Sequence, residues 1–528
     1  MSNHAYESAA ALRPSSNGPI PISTLCERFS LTPASAEDAA ALNDLSTLGV
    51  SVDSGDIAAG ELFVGLPGFT VHGARFAAQA VASGAVAVLT DADGAQIVHE
   101  TAPGTPVLVH DDPRAVVGPL SAEVYHHPAR GLVTTAVTGT NGKTTTAYFL
   151  DAILSAHVGG CMVAGTVELR VGERSVESPR TTVEAPVLQR MMALAVEDKV
   201  GAASLEASSH AIVLHRLDGI VVDVAGFTNL QRDHLDFHKT MEGYLEAKAQ
   251  LFTPEHARRG VVCVDDQWGA TLAAEAPIEI DRVRAYPGET PADWWVSDAA
   301  VSLTDSATTF TLHGPDGEKI EASCPLPGLV NVQNAALALV MAIRAGVPAA
   351  TAAAALAGAH NIPGRMQRIS QRDGRRGLCI VDFAHTPEAM ELALKAVRPI
   401  TPGRLIVVFG SDGDRDQGKR PMLGEVCARL ADVLVVTDEN PRSEDPQLIR
   451  NAILEGVRGV RPDLTDVEEI TTWRGDAVRR GVELCGPDDT VIVTGKGHEP
   501  FLEMAGEFIR YNDAPVMAEA VEKKWGRA

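Results

Sequence analysis

The feature that most constrains the fold is a short glycine-rich stretch, residues 138–146, which reads T-G-T-N-G-K-T-T-T. It follows an apolar run, residues 131–137, that predicts a buried strand, and it opens a helical pattern over residues 145–154. A strand, a glycine loop and a helix N-terminus together bind phosphate, because backbone N–H groups close on the anion and the helix end adds positive charge. The stretch therefore predicts a nucleotide site in an α/β sheet.

Side chains of the same stretch complete a site for a nucleoside triphosphate. Lys143 supplies a fixed positive charge and is predicted to be catalytic, and the hydroxyl of Thr144 suits Mg²⁺. A plain turn rich in glycine and threonine is the alternative, and it is disfavoured because the lysine and the hydroxyl stand together at the start of a helix. The predicted ATP-binding residues of the loop are Gly139, Thr140, Asn141, Gly142, Lys143, Thr144 and Thr145.

Two later strands are followed by polar residues. The first, residues 202–205, leads into Glu206, and the second, residues 221–227, leads into a loop that contains His234. Ligands of open α/β sheets bind at the carboxyl ends of the strands, so we expect Glu206, His234 and Thr144 to converge on one Mg²⁺. A solvated loop of aspartate and histidine is the alternative for the second segment.

Length and composition indicate a large α/β protein. A chain of 528 residues, 45% hydrophobic and 22% charged, is expected to form about three domains, which we place at residues 1–127, 128–360 and 361–528. The net charge of -24 disfavours nucleic-acid binding, and seven scattered cysteines suit a reducing compartment. Residues 1–20 are predicted to be a mobile tail. With no apolar run of membrane-spanning length, the protein is expected to be soluble and cytoplasmic.

An ordered set of motifs resembles the Mur ligase family, the ATP-dependent amide-forming ligases of peptidoglycan synthesis. The resemblance covers nearly all the chain after about residue 45. It implies three α/β domains: a small N-terminal UDP-binding domain, a central P-loop ATPase-like domain and a C-terminal Rossmann-like domain. The motifs are G-T-N-G-K-T-T, E-A-S-S-H from Glu206, N-L-Q-R-D-H-L-D from Asn229, D-F-A-H-T-P from Asp382, G-D-R-D-Q-G-K-R from Gly413 and G-K-G-H-E from Gly495.

The resemblance also implies site residues beyond the loop. It aligns Lys248 with a lysine that the family carbamylates to bind a second Mg²⁺, although a surface lysine whose stem lies on apolar neighbours is the simpler alternative. Plain turns or helix caps are the alternatives for Ser54 and Asn331. The implied contacts with the UDP-linked substrate are Ser54, Thr181, Thr182, Ser208 and Arg216. The implied further ATP contacts are Asn331, Arg365, Asp382 and His385.

The segment E-N-P-R, residues 439–442, bears on which amino acid is added. The guanidinium of Arg442 matches a carboxylate, which meso-diaminopimelate carries at its distal end and lysine lacks. In the family, members that add diaminopimelate carry D-N-P-R here, so Glu439 is a substitution, as is Asp412 for a usual glycine. The implied amino-acid contacts are Arg415, Glu439, Asn440, Pro441, Arg442, Gly495 and Glu499.

The resemblance therefore implies a monomeric ligase that uses ATP and Mg²⁺ to join meso-diaminopimelate to UDP-N-acetylmuramoyl-L-alanyl-D-glutamate. Its catalytic residues would be Lys143, Lys248, His234 and Glu206, and its metal ligands would be Thr144, Glu206, His234 and carbamylated Lys248. Three alternatives stay open: a lysine-adding Mur ligase, a ligase of the folylpolyglutamate synthase type, and a nucleotide-binding scaffold without catalysis.

Overall fold

The structure of the protein, a computed structural model, describes residues 9–302, 307–359 and 362–526. The chain divides into two compact units, the first comprising Met1–Trp295 and Ala336–Ala355 and the second comprising Val296–Ala335 and Leu356–Ala528. The two boundaries between the three predicted domains stay a prediction, and the one between residues 360 and 361 lies outside the described residues. No helix in the described ranges is long and apolar enough to cross a membrane.

The first sheet of unit one lies in the N-terminal part of the chain. Its strand order is β2-β7-β6-β5-β4, with β4 to β7 parallel and β2 antiparallel at one edge. Strands β5 and β6 are buried along their whole length, as is typical of a parallel sheet that is covered on both faces. The elements are β1 Ile20–Pro21, α1 Ile22–Phe29, β2 Thr32–Pro33, α2 Ala36–Leu42, β3 Ser46–Thr47, β4 Gly49–Ser51, β5 Glu61–Val64, α3 Ala77–Ala82, β6 Ala87–Thr90, α4 Ala92–Thr101, β7 Val107–Val109 and α5 Pro113–Val124.

The segment before β1 is packed against the rest of unit one. Leu12 is fully buried, and the guanidinium of Arg13 pairs with Glu61 and lies 3.3 Å from Asp56. The hydroxyl of Ser15 donates a 2.6 Å hydrogen bond to Glu197. The prediction of a mobile tail was therefore wrong for residues 9–20, because one buried leucine and these polar contacts attach the segment. Residues 1–8 lie outside the described part.

The second sheet of unit one carries the glycine-rich loop. Eight of its strands lie in unit one, in the order β11-β10-β9-β12-β8-β13-β14-β15. The six from β9 through β12, β8, β13 and β14 to β15 are parallel, whereas β10 and β11 each pair antiparallel with their neighbours. The elements are β8 Val133–Thr138, α6 Lys143–Val158, β9 Cys161–Ala164, β10 Glu168–Val171, β11 Arg174–Glu177, α7 Ala185–Glu197, β12 Ala202–Glu206, α8 Ser209–Val213, β13 Val224–Phe227, α9 Leu235–His238, α10 Met241–Ala249, β14 Gly260–Cys263, α11 Gln267–Glu275, β15 Ile280–Arg284 and β16 Trp294–Val301, which continues into unit two.

The order of these strands brings the predicted site segments together. Strand β8 lies between β12 and β13, with Val137 opposite Glu206 and Thr138 opposite Phe227. The glycine loop, Glu206 and the segment after β13 therefore leave the sheet at the same edge.

The main sheet of unit two has the order β19-β20-β24-β21-β22-β23, with β20 to β23 parallel and β19 antiparallel. The remaining elements of the chain are β17 Thr308–His313, β18 Lys319–Cys324, α12 Leu329–Arg344, α13 Ala349–Ala357, β19 Gln367–Ser370, β20 Leu378–Val381, α14 Pro387–Val397, β21 Leu405–Phe409, α15 Lys419–Leu430, β22 Val433–Val436, α16 Pro446–Val460, β23 Val467–Glu469, α17 Arg474–Leu484, β24 Thr490–Val493, β25 Phe501–Met504, β26 Glu507–Arg510 and α18 Asp513–Trp525.

A buried ion pair holds the segments after two of these strands. Arg474 and Asp513 are 2.8 Å apart, and both side chains are 0% exposed. The same guanidinium donates to the carbonyl oxygens of Asp438, just after β22, and Thr494, just after β24. Because a buried guanidinium needs all these acceptors, it fixes the two segments that carry the predicted amino-acid contacts.

Candidate functional site

The glycine-rich loop connects β8 to α6 in a conformation that requires glycine. Gly139 has φ +143°, and a Cβ atom there would lie 1.9 Å from the hydroxyl oxygen of Thr228. That hydroxyl donates a 2.6 Å hydrogen bond to the carbonyl of Asn141. The side chain of Asn141 donates to Gln231 at 2.8 Å. The loop is thus held against the segment that follows β13, with the N-terminus of α6 directly behind it.

Two lysines meet at one carbonyl of this loop. The Nζ atom of Lys143 donates to the carbonyl oxygens of Gly139 and Thr140, both at 2.9 Å, and the Nζ atom of Lys248 donates to Gly139 at 2.8 Å. Lys248 is 1% exposed, so the alternative of a surface lysine is wrong. Burial lowers the pKa of Lys248 well below its ordinary value, and the charge of Lys143 lowers it further.

An oxygen-rich cluster lies beside the start of α6. The hydroxyl of Thr144 donates to Glu206 at 3.0 Å, and Thr166 donates to the same carboxylate through its hydroxyl and its backbone N–H, both at 2.8 Å. A carboxylate and a hydroxyl next to a phosphate loop are donors that Mg²⁺ accepts together with phosphate oxygens and water. Sequence analysis missed Thr166, which stands in a loop after β9 without any motif to mark it.

His234 lies beside another histidine ring, and the charges of Lys143 and Lys248 act on it. Its ring centroid is 4.9 Å from that of His210, and its Nε2 atom is 3.3 Å from the carboxylate of Asp233. Burial lowers the pKa of His234. Burial also lowers the pKa of neighbouring His238, to about 4. Among residues 9–302, 307–359 and 362–526, no group of three or more histidine, cysteine, aspartate or glutamate side chains is arranged to hold a metal ion. Of the predicted metal ligands, Thr144 and Glu206 are in direct contact, and the convergence of His234 and Lys248 with them on Mg²⁺ stays a prediction.

Most residues assigned to the UDP-linked substrate lie next to Glu206. The hydroxyl of Thr182 donates to the carbonyl of Glu206 at 2.7 Å and accepts from the backbone N–H of Ser208 at 3.0 Å. Arg216 donates to the carbonyl of Thr182 at 3.1 Å, and the hydroxyl oxygens of Thr181 and Thr166 lie 3.2 Å apart. These contacts bring Thr181, Thr182, Ser208 and Arg216 to the same end of the sheet as the phosphate loop.

Ser54 does not belong to that group. It is 8% exposed in a turn of the N-terminal sheet region, and its hydroxyl donates to the side chain of Gln79 at 3.2 Å. The preceding Asp53 accepts from the backbone N–H of Gly55. Asp53 and Ser54 thus form a turn, and the contact of Ser54 with the UDP-linked substrate stays a prediction.

Three of the residues predicted to contact ATP are neighbours in unit two. The guanidinium of Arg365 lies 4.4 Å from the ring centroid of Phe383, and the ring of His385 bonds to the carbonyl of Phe383 at 2.9 Å. Asp382 accepts two backbone N–H bonds, and its burial raises its pKa. Asn331, near the start of α12, donates through its side chain to the carbonyl of Pro327 at 2.8 Å. This is not the helix cap given as the alternative, because a capping side chain accepts a hydrogen bond, and the contact with ATP stays a prediction.

The predicted amino-acid contacts form a polar network at the carboxyl ends of β21, β22 and β24. The amide of Asn440 donates to Asp412 and to Glu499, both at 3.1 Å. The Nζ atom of Lys496 donates to Asn440 at 2.9 Å and to Glu499 at 3.0 Å. Lys496 is fully buried, and sequence analysis did not assign it although it belongs to the G-K-G-H-E motif.

Arg442 stands among acidic groups in this network. Its guanidinium is 4.0 Å from Asp412 and 3.7 Å from Glu503. Glu439 is buried, and burial together with the charge of Asp412 raises its pKa to about 8. A Cβ atom at Gly495 would lie 2.5 Å from the carboxylate of Glu439, so a side chain there would displace it.

The two other predicted contacts lie close by in sequence or in space. The carbonyl oxygen of Pro441 lies close to Gly413. A Cβ atom on Gly413 would be 1.9 Å from that oxygen. Arg415 is exposed on the loop after β21.

Comparisons with known proteins match three family descriptions along the chain. "Mur ligase family, catalytic domain" matches residues 47–125, "Mur ligase middle domain" matches residues 137–342, and "Mur ligase, glutamate ligase domain" matches residues 364–497.

Curated relatives match over most of their length. The chain is 43% identical over 478 residues to the UDP-N-acetylmuramoyl-L-alanyl-D-glutamate–2,6-diaminopimelate ligase of Streptomyces coelicolor, covering 90% of this chain and 93% of that relative. It is 42% identical over 508 residues to the UDP-N-acetylmuramyl-tripeptide synthetase of Leifsonia xyli subsp. xyli, covering 95% of this chain and 96% of that relative. A solved structure of a UDP-N-acetylmuramoyl-L-alanyl-D-glutamate–2,6-diaminopimelate ligase superposes with a TM-score of 0.64 at 31% identity. The match covers 92% of this chain and 96% of the solved chain. The chain belongs to the Mur ligase family.

Proposed function

We propose that the protein is an ATP-dependent ligase that adds meso-diaminopimelate to UDP-N-acetylmuramoyl-L-alanyl-D-glutamate during peptidoglycan precursor synthesis. The observation that carries the proposal is the arrangement at the phosphate loop. Lys143 and Lys248 meet at the carbonyl of Gly139, and the contact between Thr144 and Glu206 lies beside the same loop. This arrangement supplies cations and oxygen ligands to a phosphoryl group at the edge where Thr182 and Ser208 can receive a second substrate.

The reaction follows from what these residues can bind. A carboxylate oxygen of the nucleotide-linked peptide attacks the γ-phosphorus of ATP, and ADP leaves, which gives an acyl phosphate. The amino group of the incoming amino acid then attacks the acyl carbon, loses a proton and releases phosphate. Lys143 neutralises charge on the transferring phosphoryl group, and the backbone N–H groups of the loop hold the adjacent phosphates. Mg²⁺, when held by Thr144 and Glu206, would supply further charge neutralisation at the phosphate oxygens.

Lys248 is proposed to act as a carbamate. An amine that is buried beside another cation favours its neutral form, and a neutral amine can add CO₂, releasing one proton and forming an N–C bond. The product is an anionic oxygen donor next to Lys143, which suits a second Mg²⁺.

The setting of the reaction is part of the same proposal. We place it in the cytoplasm because the reaction consumes ATP and a UDP-linked precursor, and we propose that the protein acts as a monomer. The net charge of -24 restricts anionic substrates to local clusters of lysine and arginine.

Phosphate release tests the function and separates it from the alternatives. With ATP, Mg²⁺ and UDP-N-acetylmuramoyl-L-alanyl-D-glutamate, we expect release to depend on added meso-diaminopimelate and to be far slower with L-lysine, whose terminal ammonium Arg442 repels. Equal rates with both amino acids would contradict the specificity and leave a Mur ligase. Release that requires a folate and glutamate instead would indicate the folylpolyglutamate alternative, and nucleotide binding without turnover would indicate a scaffold.

Arg442→Ala is expected to raise the KM for meso-diaminopimelate more than it lowers kcat. The variant loses the guanidinium that pairs with the distal carboxylate, an interaction worth about 2 to 5 kcal/mol when a buried charge loses its partner. Initial rates at varied amino-acid concentration measure the change. Arg429→Ala is the matched control, because Arg429 lies on α15 of the same unit, is 50% exposed and pairs with Glu425 at 3.0 Å. An unchanged KM in the Arg442 variant would remove this residue from the site.

A further inference from the structure

Three arginines of unit one converge on a single carboxylate, that of Glu184. Arg180 and Arg216 lie 3.1 Å and 2.9 Å from one carboxylate oxygen, and Arg114 lies 3.8 Å from the other. The three come from separate parts of the sequence: Arg114 from α5, Arg180 from the segment after β11, and Arg216 from the segment after α8. Sequence analysis assigned only Arg216 to a site, because nothing local joins the others to it.

The cluster has more positive than negative charge. Three guanidiniums face one carboxylate, in a chain whose net charge is -24. The side chain of Arg216 is 13% exposed, and within the described residues its buried Nε atom has no hydrogen-bond partner. Burial lowers the pKa of Arg216. The charge of Glu184 raises this pKa, and the charges of Arg180 and Arg114 lower it further. A buried guanidinium with an unpaired N–H and two cationic neighbours is stabilised by a further anion.

The position of the cluster indicates which anion that is. Arg216 donates to the carbonyl of Thr182, whose hydroxyl donates to the carbonyl of Glu206. Arg216 is therefore connected through Thr182 to the backbone of Glu206, the residue whose carboxylate contacts Thr144 at the phosphate loop. An anion held here belongs to the substrate whose carboxylate is activated.

Within the described residues, the side chain of Glu184 pairs only with these three arginines. Glu184 occupies the N-cap position of α7, but its side chain makes no capping hydrogen bond. Its 20% exposure leaves it accessible to a ligand that approaches from solvent. The carboxylate of Glu184 therefore occupies the three arginines in the way that an anionic group of the substrate would.

We propose that Arg114, Arg180 and Arg216 form an oxyanion-binding site for the nucleotide-linked peptide, and that Glu184 is a built-in counter-ion that competes with the substrate for these arginines. The inference rests on the proposed function. It assigns substrate binding to Arg114 and Arg180 and a restraining role to Glu184. The oxyanion is either the diphosphate or a peptide carboxylate of the substrate, since both match a guanidinium in the same way.

Competition predicts changes of opposite sign. Neutralising an arginine weakens substrate binding, whereas neutralising Glu184 strengthens it, because the arginines no longer have to exchange one anion for another. A purely structural cluster would behave differently, since loss of either partner would disturb the same fold and weaken binding in both cases.

Direct binding of UDP-N-acetylmuramoyl-L-alanyl-D-glutamate, measured by calorimetry without ATP or amino acid, tests the proposal. We expect Arg180→Gln and Arg114→Gln each to raise the Kd about tenfold, the size of one charge-assisted hydrogen bond at a partly exposed site. Glu184→Gln should lower the Kd several-fold. The matched control is Arg174→Gln, because Arg174 is 49% exposed like Arg180 and pairs with Asp198 at 3.1 Å away from the cluster.

Two fragments identify the source of the oxyanion. If Arg180→Gln weakens binding of UDP, the site takes the diphosphate, and if it weakens binding of L-alanyl-D-glutamate, the site takes a carboxylate. The proposal is overturned if both arginine variants bind the whole substrate like the unmodified protein, or if Glu184→Gln binds it more weakly while its melting temperature is unchanged. Substrate binding with the expected pattern but no phosphate release would refute the proposed function and leave the oxyanion site standing.

Discussion

Lys143→Ala is expected to reduce ATP-dependent ligation by about 10³-fold or more, the size of effect seen when a fixed cation is removed from a developing phosphoryl charge. The Nζ atom of Lys143 contacts two carbonyl oxygens of its own loop at 2.9 Å, so it stands where the phosphates must bind. Replacing it removes charge from the site while the glycine backbone stays in place. Phosphate release at saturating substrates measures the loss.

A matched lysine separates the site effect from a general loss of charge. Lys395 lies on α14, is 59% exposed and pairs with Glu391 at 2.6 Å, so Lys395→Ala should retain full activity. The melting temperature of Lys143→Ala should stay close to that of the unmodified protein, because the backbone conformation of the loop is set by glycines that the substitution leaves in place. Near-normal turnover by Lys143→Ala would refute the catalytic role of this lysine.

Lys248→Ala is expected to be nearly inactive and to regain activity when short carboxylates such as formate or acetate are added. The carbamate proposed at this position would be an anionic oxygen donor beside Lys143, and a small carboxylate can occupy the space that the shortened side chain leaves. Rates of phosphate release with and without the added carboxylate measure the rescue.

Two further measurements keep this prediction testable if the alanine variant is unstable. Lys248 is 1% exposed and donates to Gly139 at 2.8 Å, so truncation leaves a cavity next to the phosphate loop. Lys248→Met fills most of that space without an amine and should be equally inactive. Unmodified protein equilibrated with carbon-13-labelled CO₂ should show a carbamate resonance that the Met variant lacks. Full activity of either variant without added carboxylate would exclude a required carbamate.

The local parts of the site were predictable because they depend on residues near one another in the chain. The expected strand and helix around the glycine loop are present as β8, Val133–Thr138, and α6, Lys143–Val158. The expected fold class, α/β with parallel sheets, is confirmed. Polar residues after Glu206 and Phe227 were expected at one sheet edge, and the position of β8 between β12 and β13 explains why they are there.

Residues that act through distant partners were missed or placed differently. Thr166 contacts Glu206, and Lys496 links Asn440 to Glu499, yet neither side chain was assigned before its partners were known. The segment before β1 lacked periodicity, but the buried side chain of Leu12 and the polar contacts of Arg13 and Ser15 attach it. His234 is expected to join Thr144 and Glu206 at Mg²⁺, which stays a prediction, and its ring lies beside that of His210.

The sequence by itself determined the phosphate loop, the α/β class and the family, because glycine positions, apolar periodicity and motif order are properties of short stretches. Only the tertiary structure decided which charges meet. Lys248 lies 2.8 Å from the Gly139 carbonyl across more than a hundred residues of sequence, and three arginines from three segments share Glu184. Electrostatic energy depends on distance through space and on burial, which strand order and packing set and which no local pattern records.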